Sequence, residues 1–113
     1  MKKVIVDTSV WIENEKKEIP ELTQLLRDRR VLLHWAVLGE LSVGNIKNRK
    51  SFLSDLKLLD FSQEATPVET LNFIEKHGLH GKGLSLVDCL ILASARLSDV
   101  LIFSFDKKLN TYR

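Results

Sequence analysis

Three apolar runs punctuate the chain, and each gives way to a polar residue. Val4-Ile5-Val6 stops at Asp7, Val31-Leu32-Leu33 stops at His34, and Val100 to Phe103 leads through Ser104-Phe105 to Asp106. Val4-Ile5-Val6 predicts a strand buried on both faces, Val31-Leu32-Leu33 a second buried strand, and Val100 to Phe103 a last strand. Between them the apolar positions recur at helical spacing. Asp7-Thr8-Ser9 offers N-caps for a helix entered through Val10-Trp11-Ile12. Pro20 suits a helix start, and Leu22, Leu25 and Leu26 share a face on a segment reaching Arg30. Ala36 to Ile46 reads as a helix weakened by Gly39 and Gly44. Phe52, Leu53, Leu56 and Leu59 mark another, and Pro67 opens one that stops near His77-Gly78. After the Gly81-Lys82-Gly83 loop, Ser85 begins a long apolar helix to about Leu97, and Asp106 begins a short last one. Strands alternating with helices predict an α/β layer fold with a parallel sheet. No linker, repeat or low-complexity tract divides residues 1–113, so a single domain is expected. In such sheets ligands bind beyond the carboxyl ends of the strands, where Asp7 and Asp106 fall.

Composition narrows the picture only a little. An apolar fraction of 44% and a charged fraction of 28% are those of an ordinary globular domain. The net charge of +2 is too small by itself to announce a nucleic-acid surface. The single cysteine, Cys89, excludes an internal disulfide framework and fits a reducing cytoplasm; on its apolar helix it reads as a small buried hydrophobe. No apolar run approaches the roughly 20 residues of a membrane span, and Met1-Lys2-Lys3 precedes too few apolar residues for a signal peptide.

The acids change the picture more. Asp7 and Asp106 close strands. Asp88 shares a helix face with Leu84, Ile91 and Leu92, and Glu40 shares one with Ala36, Val37 and Val43 and has no basic residue three or four positions away. Each has an ordinary explanation when taken alone. Asp7 and Asp106 suit helix N-caps, and Ser85-Leu86-Val87-Asp88 has the form of a capping box. Buried carboxylates are costly unless paired or bound to metal, however, and four of them at apolar boundaries predict one shared site assembled by folding. Oxygen ligands without a Cys/His cluster favour a hard cation, magnesium or manganese. Such ions activate water and neutralise phosphate oxygens. The three histidines, His34, His77 and His80, are scattered and read as surface or turn residues. No glycine spacing forms a phosphate-binding loop. Lys47, Arg49, Lys50 and Lys82 flank the segments of Glu40 and Asp88 and are candidates to guide a phosphate backbone; Lys107 and Lys108 read as solvated. Trp11 and Trp35 fit core or interface packing better than base stacking.

With these residues in hand, the chain resembles the PIN-domain ribonucleases, and specifically the VapC toxins of toxin–antitoxin pairs. Val4 to Ile12 resembles the opening strand and first acid of that family. His34 to Ile46 resembles the segment of its conserved Glu. Gly81 to Ala95 is similar to the loop and helix of its third acid, and Phe103 to Leu109 to the segment of its fourth. The resemblance implies a three-layer PIN-like fold, magnesium-dependent cleavage of RNA, a homodimer, and a VapB-like antitoxin whose C-terminal segment occupies the active-site groove. It gives the catalytic and metal-ligand roles to Asp7, Glu40, Asp88 and Asp106, and hydrogen-bonding support to Thr8, Ser9 and Ser104. It allows the basic residues Lys47, Arg49, Lys50 and Lys82 to touch RNA or antitoxin. Ser104 stands where the family often has Thr, and the chain ends at Arg113 where many relatives continue into a final strand. Two rivals have distinct signatures. Phosphoryl transfer through an aspartyl phosphate at Asp7 would want a second Asp two residues on, where Ser9 stands, and a Lys before Asp106. A non-enzymatic RNA- or protein-binding module would use the acids only as caps.

Overall fold

In the computed structural model, which describes residues 1–113, the apolar runs form the strands β1 (Val4–Val6), β2 (Val31–Leu33) and β4 (Leu101–Phe103). A further strand, β3 (Asp60–Phe61), is not expected from the sequence. It is two residues long and exposed, so it carries no hydrophobic pattern. Seven helices connect them: α1 (Thr8–Lys16), α2 (Pro20–Arg27), α3 (Trp35–Val43), α4 (Arg49–Leu56), α5 (Pro67–His77), α6 (Leu86–Ser98) and α7 (Lys107–Tyr112).

The strands form one sheet in the order β3-β2-β1-β4, with every neighbouring pair parallel. β1 and β2 are buried along their whole length, which requires helices over both faces of the sheet. The result is the expected three-layer α/β fold. Ile5, Leu22, Leu33, Leu41, Ile91 and Leu109 are fully buried in the core, so strands, early helices and the last helix share it. Burying each such side chain contributes about 1.5–3 kcal/mol.

Local signals account for the helix ends. Thr66 and Glu69 close a capping box at the start of α5, and Ser85 and Asp88 close one at the start of α6. Gly78 ends α5 in the left-handed conformation with φ 60°. Two helices stop earlier than the apolar periodicity predicts. α2 ends at Arg27 because Arg29 turns left-handed (φ 54°), and α3 ends at Val43, whose side chain is exposed.

The sheet order decides where a ligand can enter. The chain leaves β1 toward β2 on one side and returns to β4 on the other. A crevice therefore opens between the carboxyl ends of β1 and β4, as it does at the reversal point of other open parallel sheets.

Candidate active site

That crevice holds a cavity of about 520 Å³ with no hydrophobic lining: Asp7, Thr8, Ser9, Glu40, Gly83, Ser85, Asp88, Asp106, Lys107 and Lys108. The four acids singled out in the sequence, which come from β1, α3, α6 and the end of β4, thus face one space. A groove of similar size beside β4, about 490 Å³, mixes hydrophobic residues with Arg96, Asp99 and Arg113 and contains none of them.

Asp7 is the only one of the four that is buried (6% exposed), so the expectation of four buried carboxylates is corrected. Asp88 is half-buried, and Glu40 and Asp106 are exposed. The sequence places Glu40 on an inward face because no base lies three or four positions away. Its partner is instead Thr8 on α1, whose hydroxyl donates to Oε1 at 2.6 Å. A sequence separation of 32 keeps that pairing out of any local pattern.

Asp7 stands at the N-cap position of α1, yet its side chain caps nothing. Its Oδ2 accepts from the Ser104 hydroxyl at 2.7 Å and the Ser9 hydroxyl at 2.9 Å. Those hydroxyls in turn accept main-chain N–H groups, Ser104 from Asp106 at 2.9 Å and Ser9 from Phe105 at 3.0 Å. Two hydroxyls therefore tie the backbone after β4 to the carboxylate after β1.

Asp88 and Asp106 do serve as caps. Asp88 Oδ2 accepts the Ser85 N–H at 2.9 Å. Asp106 Oδ1 accepts from the N–H groups of Lys108 and Leu109 at 2.8 and 3.1 Å. Capping and lining the cavity are not alternatives here, because a carboxylate has two oxygens. In each of the four acids one oxygen is engaged by the protein and the other accepts no hydrogen bond.

This donor set fits a hard divalent cation. The ligands on offer are anionic oxygens, held in orientation and unneutralised: the chain's ion pairs, Lys2–Asp99, Lys3–Asp60 and Lys16–Glu13, all lie elsewhere. No three acids converge on a single ligating point. An ion here would therefore be held by one or two carboxylates with water completing its shell, the usual manner of magnesium.

The basic residues fall differently from expectation. Lys47, Arg49, Lys50 and Lys82 do not line the cavity. Arg49 and Lys50 border a separate depression with Asn48 and Ser51, and Arg49 Nε donates to the Ser42 carbonyl at 2.8 Å. Lys107 and Lys108, read as solvated, are the cations in the cavity wall. The available signal is their position immediately after Asp106.

His34 corrects another expectation. It is a fully buried residue, not a surface one. Nδ1 accepts the Ala36 N–H at 3.0 Å, so the neutral ring carries its proton on Nε2 and donates it to Ser94 Oγ, also at 3.0 Å. Ser94 Oγ accepts the Ala65 N–H as well. Burial lowers the imidazole pKa from 6.5 to about 4. Cys89 is buried as expected, and burial, with the nearby Asp88 charge second, raises its thiol pKa. Trp11 is buried against Phe52, whereas Trp35 is about half exposed.

Comparison with known proteins agrees with this architecture. The family model of the PIN domain matches residues 4–113. Ribonuclease VapC32 of Mycobacterium tuberculosis, in two strains, is 36% identical over 107 residues, covering 94% of this chain and 86% of the relative. Among solved structures, PAE2754 from Pyrobaculum aerophilum superposes with a TM-score of 0.67 at 13% identity, over 98% of this chain and 79% of that one, a likeness of fold.

Proposed function

Because the chain belongs to the PIN-domain family and to its VapC group, we propose that it is an endoribonuclease that hydrolyses RNA phosphodiester bonds with magnesium or manganese. The reading extends to its setting: the toxin of a toxin–antitoxin pair, acting in the cytoplasm as a homodimer and restrained by a VapB-like antitoxin. One observation carries the chemistry. Four carboxylates from four separate elements line one polar cavity, and each keeps an oxygen that the protein does not use.

When bound, a divalent ion there supplies an activated water and neutralises phosphate oxygens. The residues of the chain do the positioning. Ser9 and Ser104 fix Asp7 through Oδ2, leaving Oδ1 free, and Asp7 would be the principal holder of the ion. Asp88, pinned by the Ser85 N–H, offers its other oxygen from across the cavity. Thr8 steadies Glu40, whose free oxygen would orient the attacking water and take its proton. Asp106, fixed by the first turn of α7, completes the set through solvent. Four carboxylates against two lysines leave the cavity at a formal charge of −2, which repels a phosphodiester until a cation is present.

The test pairs chemistry with binding. The purified chain should cut RNA in magnesium or manganese and stop in EDTA. Magnesium should raise its melting temperature, since a ligand bound only by the folded state stabilises that state. An Asp7→Asn, Asp88→Asn double variant should show neither effect. Equal stabilisation of both proteins by magnesium would remove the acids from the metal site.

A further inference from the structure

Of the two cations in the cavity wall, Lys108 is held in place from both ends. Its backbone N–H is bound by Asp106 Oδ1 at 2.8 Å. Its side chain lies across Gly83: a Cβ built there would stand 3.2 Å from Nζ and 3.4 Å from both Cδ and Cε. Gly83 has φ +80°, a conformation that side chains resist, and the face left bare is the one the lysine stem covers. Gly78 and Gly81 also have positive φ, but nothing approaches them within 4 Å. The seat is thus particular to Gly83, and it joins the loop before α6 to the first turn of α7.

The ammonium group so placed has no acidic partner. The ion pairs of the chain involve Lys2, Lys3 and Lys16, so neither Lys107 nor Lys108 pairs with any of the four carboxylates beside it. A lysine that only balanced the acids would fold onto one of them. This one stands off from them in the same cavity, with Nζ, Cε and Cδ all lying over Gly83 and no carboxylate paired with its charge.

We propose that Lys108 is the phosphate-positioning residue of this site, gripping a non-bridging oxygen of the RNA backbone at the cavity mouth, with Gly83 as its seat. The assignment rests on the ribonuclease reading. It differs from metal ligation, because an ammonium group repels a cation, and from the basic residues Lys47, Arg49, Lys50 and Lys82, which lie outside the cavity.

The experiment compares wild type with Lys108→Met, Lys108→Arg and Lys107→Met. Binding of a fluorescein-labelled single-stranded RNA is measured by anisotropy in magnesium, with every protein carrying Glu40→Gln to suppress cleavage, at several salt concentrations. Cleavage is measured separately in magnesium. Lys108→Met should weaken binding and lower the salt slope by about 0.7, the value for one single-strand phosphate contact. It should also cut kcat/KM about tenfold or more, the scale of losing one hydrogen bond to a charged group. Lys108→Arg should recover most of both losses, and Lys107→Met should change either by less. A Lys108→Met protein with unaltered slope and affinity overturns the assignment, as does an arginine variant as impaired as the methionine one. If the wild-type chain neither binds nor cuts RNA, the ribonuclease reading falls and takes this assignment with it. If it cuts RNA and Lys108→Met cuts equally well, only the assignment falls.

Discussion

Asp7 and His34 occupy equivalent places in neighbouring parallel strands, and they behave in opposite ways. Each follows a fully buried three-residue strand, and each stands with extended backbone at the N-cap of the next helix. Aspartate is among the best capping residues and histidine is not. Here, nevertheless, the histidine caps and the aspartate does not. His34 has both ring nitrogens satisfied, by Ala36 and Ser94, and is neutral. Asp7 has one oxygen doubly bonded to hydroxyls, the other unused, and no basic partner. His34 closes both of its valences inside the core, where an open one would cost about 1–3 kcal/mol. Asp7 instead leaves Oδ1 without a protein partner beside the polar cavity, the place the proposed cation would take.

The sharpest way to break this contrast is Asp7→Asn. The amide keeps an acceptor for Ser9 and Ser104 while removing a charge that no cation offsets. RNA cleavage should fall by about a thousandfold or more, the order expected when a principal electrostatic group at a reacting centre is lost. The melting temperature in metal-free buffer should stay level or rise, because an uncompensated buried charge is relieved. Circular dichroism melts alongside cleavage assays read both. A fall of about 10 °C, equivalent to a kcal/mol or two in a domain of this size, would make Asp7 a structural residue like His34.

The difference between the two residues was only partly legible in the sequence. The apolar runs at Val4, Val31 and Val100 disclosed the strands that matter: β1 and β2 are buried on both faces, which leaves a continuous apolar string, and β4 keeps the apolar run although Leu101 is exposed. Asp60-Phe61 disclosed nothing, because its strand is defined by pairing with Leu32 and Leu33 and not by its own side chains. Four acids at apolar boundaries pointed to one cavity, and their shared lining is a product of topology that spacing could only suggest. What could not be read was long-range: the Thr8 bond that holds Glu40, the Ser94 contact that makes His34 a core residue, and the Gly83 seat of Lys108. None of these leaves a periodicity, since each joins segments that meet only after the sheet has formed.

The second test sharpens the comparison from the histidine side. His34 takes a proton at about pH 4 when folded and near 6.5 when unfolded. Above pH 6.5 both states are neutral and the burial costs nothing in protonation. As pH falls from 6.5 to 4 the unfolded chain binds a proton that the folded one does not, so stability drops; below 4 the loss levels off at about 3 kcal/mol. His34→Asn keeps a short acceptor for the Ala36 N–H but cannot reach Ser94, and should cost about 2 kcal/mol at pH 7. Its additional loss between pH 6.5 and 4 should be smaller than that of wild type by most of those 3 kcal/mol, as read from urea melts at each pH. Cleavage per folded molecule should hardly change, because His34 lies outside the cavity lining. An acid sensitivity identical in both proteins would mean that His34 is not a neutral buried group.

The smallest effect is expected where the structure sets charge apart from the cavity. Lys47, Arg49, Lys50 and Lys82 are exposed, and Arg49 is already committed through Nε to the Ser42 carbonyl. Such residues can still attract an extended RNA backbone that runs past the cavity mouth. Their contribution would then be a screened, sequence-independent attraction, unlike the fixed bonds around Asp7. A Lys47→Ala, Lys82→Ala variant should weaken RNA binding across unrelated sequences and lower the salt slope by no more than about 1.4, two single-strand phosphate contacts. Its kcat at saturating RNA should equal that of wild type, because neither residue touches the carboxylates or the groups that orient them. Anisotropy titrations at three salt concentrations, with turnover measured at saturating substrate, separate the two quantities. An unchanged slope would strip both lysines of an RNA-guiding role, and a fall in kcat would extend the site beyond the cavity that the four acids enclose.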